Sequence, residues 1–121
     1  MAAALAGKML GDRVQAESAG VDVGEQSARE LAITVMHECF GLDIGSHRPR
    51  DVEEVSVNDF DYVIAMKPFI AADLMDRFHL PPGKVITWNI DDPAAGGLDE
   101  YRRCVKRISL TLNSLAGRLN L

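Results

Sequence analysis

Phe60-Asp61-Tyr62-Val63-Ile64-Ala65-Met66, followed at once by Lys67-Pro68, is the stretch on which the fold of this 121-residue chain turns. The run from Asp61 to Met66 is short, compact and apolar, which suits a strand buried on both faces of a parallel sheet. Pro68 can open a helix, because a residue in the first turn has no intrahelical N–H bond to lose. Ile70, Leu74 and Phe78 then continue at helical spacing. A strand running straight into a helix predicts one β–α unit, and the rest of the chain repeats the alternation.

Downstream, Pro81-Pro82-Gly83 reads as a turn, Lys84 to Ile90 as a strand and Asp91 to Gly97 as a loop. Tyr101, Val105, Ile108, Leu112 and Leu115 mark one face of a long C-terminal helix. Upstream, residues 42 to 59 form a polar connection containing Gly45, Ser46, His47, Arg48, Pro49 and Arg50, with a helical turn beginning at Ser56. Before it, Ser27 and Glu30 make a capping box for a helix carrying Ala28, Leu31, Ala32, Val35, Met36 and Cys39, which Gly41 ends. Val14 to Ala19 reads as a short strand with turn signals at Gly20 and Gly24. Met1 to Leu10 is a helix of Ala and Leu, closed by Gly11 and lacking an N-cap, as though entered partway through an element. Strands alternating with helices predict a layered α/β domain with parallel strands and right-handed crossovers. Such domains bind ligands at the carboxyl ends of their strands, here the loops after Ala19, Met66 and Ile90.

With 47% apolar and 26% charged residues, the chain has the profile of one globular domain, residues 1–121. The net charge is −5 and the thirteen Lys and Arg are scattered, so no footprint for nucleic acid is present. A negative protein can still hold a locally positive site, so an anionic substrate stays open. Cys39 and Cys104 lie far apart and outside metal-ligand spacing, which fits a reducing compartment and predicts a cytoplasmic location without a disulfide framework. Met1 to Leu10 is too short, and too interrupted by Lys8, for a secretory leader. No stretch reaches the roughly 20 apolar residues of a membrane span.

Glu17-Ser18-Ala19-Gly20, Gly45-Ser46-His47-Arg48-Pro49-Arg50, the stretch from Phe60 to Met66, and Asp91-Asp92-Pro93 occur in this order, with the intervening elements in register. Together they resemble the low-molecular-weight protein tyrosine phosphatases and their arsenate reductase relatives. The resemblance runs over nearly the whole chain and implies a three-layer α/β sandwich with a parallel sheet of flavodoxin-like type. It implies hydrolysis of phosphate monoesters of the phosphotyrosine kind through a cysteinyl-phosphate, acting on a phosphorylated protein or a small phosphate ester, without a cofactor or metal.

In that family a central strand leads into a loop of cysteine, five residues and arginine, then Ser-Pro-Met-Ala, and Met1-Ala2 falls on that Met-Ala. The nucleophilic cysteine and the phosphate-binding arginine are therefore expected upstream of Met1, and the first central strand with them. Neither cysteine present replaces the nucleophile, since six positions on from Cys39 stands Gly45 and from Cys104 stands Leu110. Free cysteines are commonly core or helix-face residues.

Asp92 matches the family's general acid, which protonates the leaving oxygen and then activates water; the bare sequence, without the resemblance, favours an Asp starting a turn before Pro93. Asp91 competes for that role or acts on its neighbour through like charge. His47 resembles a histidine that supports the phosphate loop, against the plainer reading of an exposed imidazole. Ser18 is either a support of the same loop or a strand-end hydroxyl satisfied by backbone.

Two departures accompany the resemblance. Ala94-Ala95-Gly96-Gly97 stands where tyrosine-directed members carry an aromatic wall for the substrate ring, and the loop from Lys67 to Asp73 lacks the cysteines of thioredoxin-linked arsenate reductases. Without its first strand the sheet would expose two unpaired edges, from which strand exchange or a homodimer is expected. A catalytically dead module that binds protein through such an edge is the alternative function.

Overall fold

The computed structural model describes residues 1–20, 27–47, 50–93 and 96–120, with only the backbone of residues 27–29. The expectations on Gly24, Arg48, Pro49, Ala94, Ala95 and the Ser27 cap fall outside the described residues. The chain groups into two compact units, Met1–Ser18 with Gly24–Pro49 and Asp92–Leu121, and Ala19–Val23 with Arg50–Asp91.

The first unit is helical. Helix α1 spans Ala2–Leu10, α2 spans Ser27–Phe40 and α4 spans Leu98–Arg118; both α1 and α2 pack on α4. The buried face of α4 consists of Tyr101, Cys104, Val105, Ile108, Leu112, Leu115 and Ala116, the three- and four-residue spacing that a helix needs to cover a core with one stripe. Against it lie Leu5, Ala6 and Leu10 of α1 and Val35 and Met36 of α2, with Leu5, Val35 and Met36 fully enclosed.

No side chain caps the start of α4 at Gly97, and Asp99 and Glu100 in its first turn offset the exposed N–H groups through the helix dipole. Arg102 joins two helices by bonding Asp99 and Glu38, each at 2.8 Å. Gly41 ends α2 with φ +65°, its N–H donating to the carbonyl of His37 at 2.9 Å. That is the left-handed closure for which glycine is suited. Gly11 has φ +56° but ψ −136°, so α1 closes through a conformation other than the left-handed helical one.

The second unit holds the sheet. Strands β1, Val63–Ala65, and β2, Val85–Thr87, pair in parallel with Val63 opposite Val85 and Ala65 opposite Thr87. Helix α3, Pro68–Phe78, packs on both and begins at Pro68 as the sequence predicts. It ends in a left-handed residue that is not glycine, His79 at φ +54°, ψ +41°, and the N–H of the following Leu80 donates to Met75. Val52, Val57, Leu74 and Leu80 form the core, flanked by Val63, Ile70, Met75, Phe78 and Val85.

Three expectations change. Both strands are shorter than Asp61 to Met66 and Lys84 to Ile90, although backbone bonds from Trp88 to Ala65 at 2.8 Å and from Ile90 to Met66 at 2.9 Å carry the attachment onward. Burial on both faces does not hold for β1, in which only Ala65 is buried while Val63 and Ile64 are half-buried. Among the described residues β1 has one strand neighbour and one helix packed on it, which do not enclose a strand.

Val14 to Ala19 is not a strand. Residues 14–19 join no ladder, and pairing begins only at Gly20, which forms an isolated parallel bridge with Asp51. A strand is defined by its partner, and Gln15, Ala16 and Glu17 are exposed with no apolar face to dock. The turn expected from Ser56 is present as a single 3₁₀ turn, Val57–Asp59. A second turn, Val52–Glu54, is capped by Asp51, whose Oδ1 accepts from the N–H of Glu53 at 2.9 Å.

Candidate functional site

Within the helical unit, the connection after α2 folds on its own side chains. Oδ1 of Asp43 accepts from the N–H of Gly45 at 2.8 Å, and the N–H of His47 donates to the carbonyl of Ile44 at 3.1 Å. A short acidic side chain that captures the amide two residues on makes such a turn without help from the rest of the fold. A Cβ on Gly45 would sit 3.0 Å from that same Oδ1. The turn presents His47, whose Nε2 lies 3.4 Å from Oγ of Ser18, at the long end of hydrogen-bond range. Two of the residues singled out from the sequence, 29 positions apart, are thus brought together.

Asp92 is exposed and belongs to the same unit. Its segment turns into α4 through a bond from the N–H of Gly96 to the carbonyl of Pro93 at 2.9 Å. Gly96 lies so close to Glu100 that a Cβ there would fall 2.3 Å from its Cγ. A side chain at position 96 would displace the turn or the helix start. The Asp92 carboxylate acts on the first buried turn of α4: burial, and then the charge of Asp92, push the Tyr101 phenol and the Cys104 thiol above their ordinary values.

These shifts fix an alkaline limit. A thiol or phenol whose folded value exceeds its unfolded one contributes stability that is complete below the unfolded value and lost as pH rises through the folded value. The ordinary values are 9.0 for the thiol and 10.0 for the phenol. The urea midpoint is therefore expected to hold up to about pH 9 and to fall above it, with Cys104→Ala flattening the first part of the fall. A midpoint that stays constant from pH 8 to 11 would contradict this.

Asp91 belongs to the other unit. Its carboxylate is 92% exposed and pairs with the ammonium of Lys67, which also donates to Oδ1 of Asn89 at 2.9 Å. Lys67 stands directly after β1 and its partners directly after β2. No motif marks Lys67 in the sequence, where it belongs to a loop without cysteine. The signal was available, since a cation and an anion placed just past the carboxyl ends of two adjacent parallel strands must come near one another. Of the two cysteines, Cys39 is exposed on α2 and Cys104 buried on α4. Among the described residues, no group of three or more His, Cys, Asp or Glu could hold a metal ion, and no helix is long and apolar enough to cross a membrane.

A family model described as low molecular weight phosphotyrosine protein phosphatase matches residues 1–121. Among solved structures, the crystal structure of a low molecular weight protein tyrosine phosphatase from T. tengcongensis has a TM-score of 0.81 over 97% of this chain and 88% of that one. The two are 23% identical, a likeness of fold. No protein of curated function matches the sequence.

Proposed function

Because the chain belongs to the low molecular weight phosphotyrosine protein phosphatase family, we propose that it is the phosphate-monoester hydrolase domain of that family, with Asp92 as general acid and base. The observation that carries this reading is Asp92 itself, exposed, with its charge reaching Tyr101 and Cys104 on α4, before a turn that a side chain at Gly96 would displace. The nucleophile and the anion cradle are a cysteine, five residues and an arginine, a pattern absent from these 121 residues. In this reading they are encoded in frame before Met1.

The chemistry proceeds in two displacements. The thiolate attacks phosphorus, the S–P bond forms as the P–O bond to the leaving group breaks, and the Asp92 carboxyl gives its proton to the departing oxygen. The Asp92 carboxylate then takes a proton from water as that water attacks phosphorus, the S–P bond breaks, and inorganic phosphate leaves with the thiolate restored. The arginine holds the phosphoryl oxygens bidentately, and amides at the start of α1 complete the cradle. Ser18 and His47 support that loop from behind, and the substrate is a phosphorylated protein or a small phosphate ester.

Reading the frame upstream of the Met1 codon and assaying the longer protein on nitrophenyl phosphate tests this, with turnover expected once the loop is included. No such loop in frame would sink the reading. The same missing pattern favours a second reading, a binding module that keeps the scaffold and contacts a partner through an unpaired sheet edge. Turnover by the 121-residue chain alone, abolished by Asp92→Asn, would contradict the binding-only reading.

A further inference from the structure

We propose that Lys67 is the positioning residue for the candidate acid, clamping the strand-end segment 89–91 that leads directly into Asp92. The inference rests on the reading of Asp92 given above but is carried by a separate set of contacts. From β1 outward, the attachment of residues 85–91 to residues 63–67 advances stepwise. The ladder runs to Ala65 and Thr87, the N–H of Trp88 donates to Ala65 at 2.8 Å, and that of Ile90 donates to Met66 at 2.9 Å. Beyond these backbone bonds, the side chain of Lys67 adds its own. One ammonium takes the Asn89 amide oxygen at 2.9 Å and the Asp91 carboxylate together.

An ammonium has three donors and no preferred plane, so it can serve two acceptors at the spacing that two residues on one side of an extended segment present. The ammonium is held at its other end as well. Lys67 is extended at φ −141°, ψ 151°, immediately before Pro68, and the N–H groups of Ile70 and Ala71 both donate to its carbonyl at 3.1 Å. The Lys67 side chain is 25% exposed, whereas that of Asp91 is 92% exposed. The lysine is therefore the fixed member and the aspartate the captured one. With its carboxylate occupied by Lys67, Asp91 is a tether for the segment, and proton transfer falls to Asp92. Reach matters for such a group, because a misplacement of about 1 Å can cost on the order of 10²-fold in rate.

Two measurements on Lys67→Met and Lys67→Arg decide the matter. In the 15N-labelled chain, Lys67→Met is expected to speed hydrogen exchange of the Ile90 amide, which is bonded to Met66, by about fivefold while α4 exchanges as before, and Lys67→Arg to restore protection to within about twofold. Unchanged exchange at Ile90 overturns the clamp. In the loop-bearing protein, Lys67→Met is expected to lower kcat/KM, which reports the first displacement, by about tenfold on phenyl phosphate, which needs a proton for its leaving group, and by less than about twofold on dinitrophenyl phosphate, which does not. Equal loss on both substrates, or none on either, overturns the positioning role. If Asp92→Asn leaves turnover on phenyl phosphate untouched, the acid assignment falls, and the exchange result still judges the clamp by itself.

Discussion

Asp92→Asn is expected to lower kcat/KM on phenyl phosphate by about 10²- to 10³-fold in the protein that carries the cysteine loop. Asparagine keeps the shape and the exposed position of Asp92 and removes only the transferable proton. The loss should scale with the basicity of the leaving group. A phenolate with a conjugate-acid pKa of about 10 departs poorly without protonation, whereas a dinitrophenolate departs unaided. The ratio of the two rates therefore separates a missing acid from a damaged fold, which would slow both substrates alike. A decrease in kcat/KM uniform across leaving groups would assign Asp92 to binding or to structure. With dinitrophenyl phosphate, hydrolysis of the cysteinyl-phosphate should become limiting, and phosphorylated protein should accumulate in a burst as water loses its base.

What the sequence discloses follows from whether a signal is local. The start of α3 is legible because Pro68 and the spacing of Ile70, Leu74 and Phe78 sit within one helix, and α4 because its stripe from Tyr101 to Leu115 repeats over many turns. Gly41 closes α2 where its permissive φ is needed. The left-handed ending at His79 has no such mark, because a histidine accepts that conformation only when the helix and the following Leu80 impose it. Val14 to Ala19 failed as a strand for the converse reason: β structure depends on a partner that local composition does not reveal.

The site divides along the same line. Asp92, His47 and Ser18 were named through resemblance, and periodicity alone would not have joined two residues 29 positions apart. The bond between Lys67 and Asp91 spans 24 positions and exists because β1 and β2 run parallel in one register. It could be inferred only by reading strand ends as neighbours, and the strands themselves were legible.

Val105→Asp should leave the helical unit mostly unfolded at neutral pH. Val105 is 1% exposed at the centre of the α4 stripe, between Tyr101, Ile108 and Leu112 in helical spacing, on the face that receives α1 and α2. A carboxylate placed there loses its hydration and finds neighbours that are almost wholly apolar, at a cost of about 4 kcal/mol or more against a total stability of about 5–15 kcal/mol for a domain. Val105→Ala removes the same methyl groups without a charge, and its cost of about 2 kcal/mol in transfer and cavity terms is the reference from which the charge penalty is read. Lys106→Asp, one position along on the exposed face, should change stability by no more than about 0.5 kcal/mol. The penalty should also ease on acidification, because protonating the new carboxyl removes the charge and leaves a smaller polar burden. Urea denaturation followed by circular dichroism at pH 7 and pH 4, each variant compared with wild type at the same pH, measures all three variants. If Val105→Asp matched Val105→Ala at pH 7, the apolar enclosure of that face would be disproved.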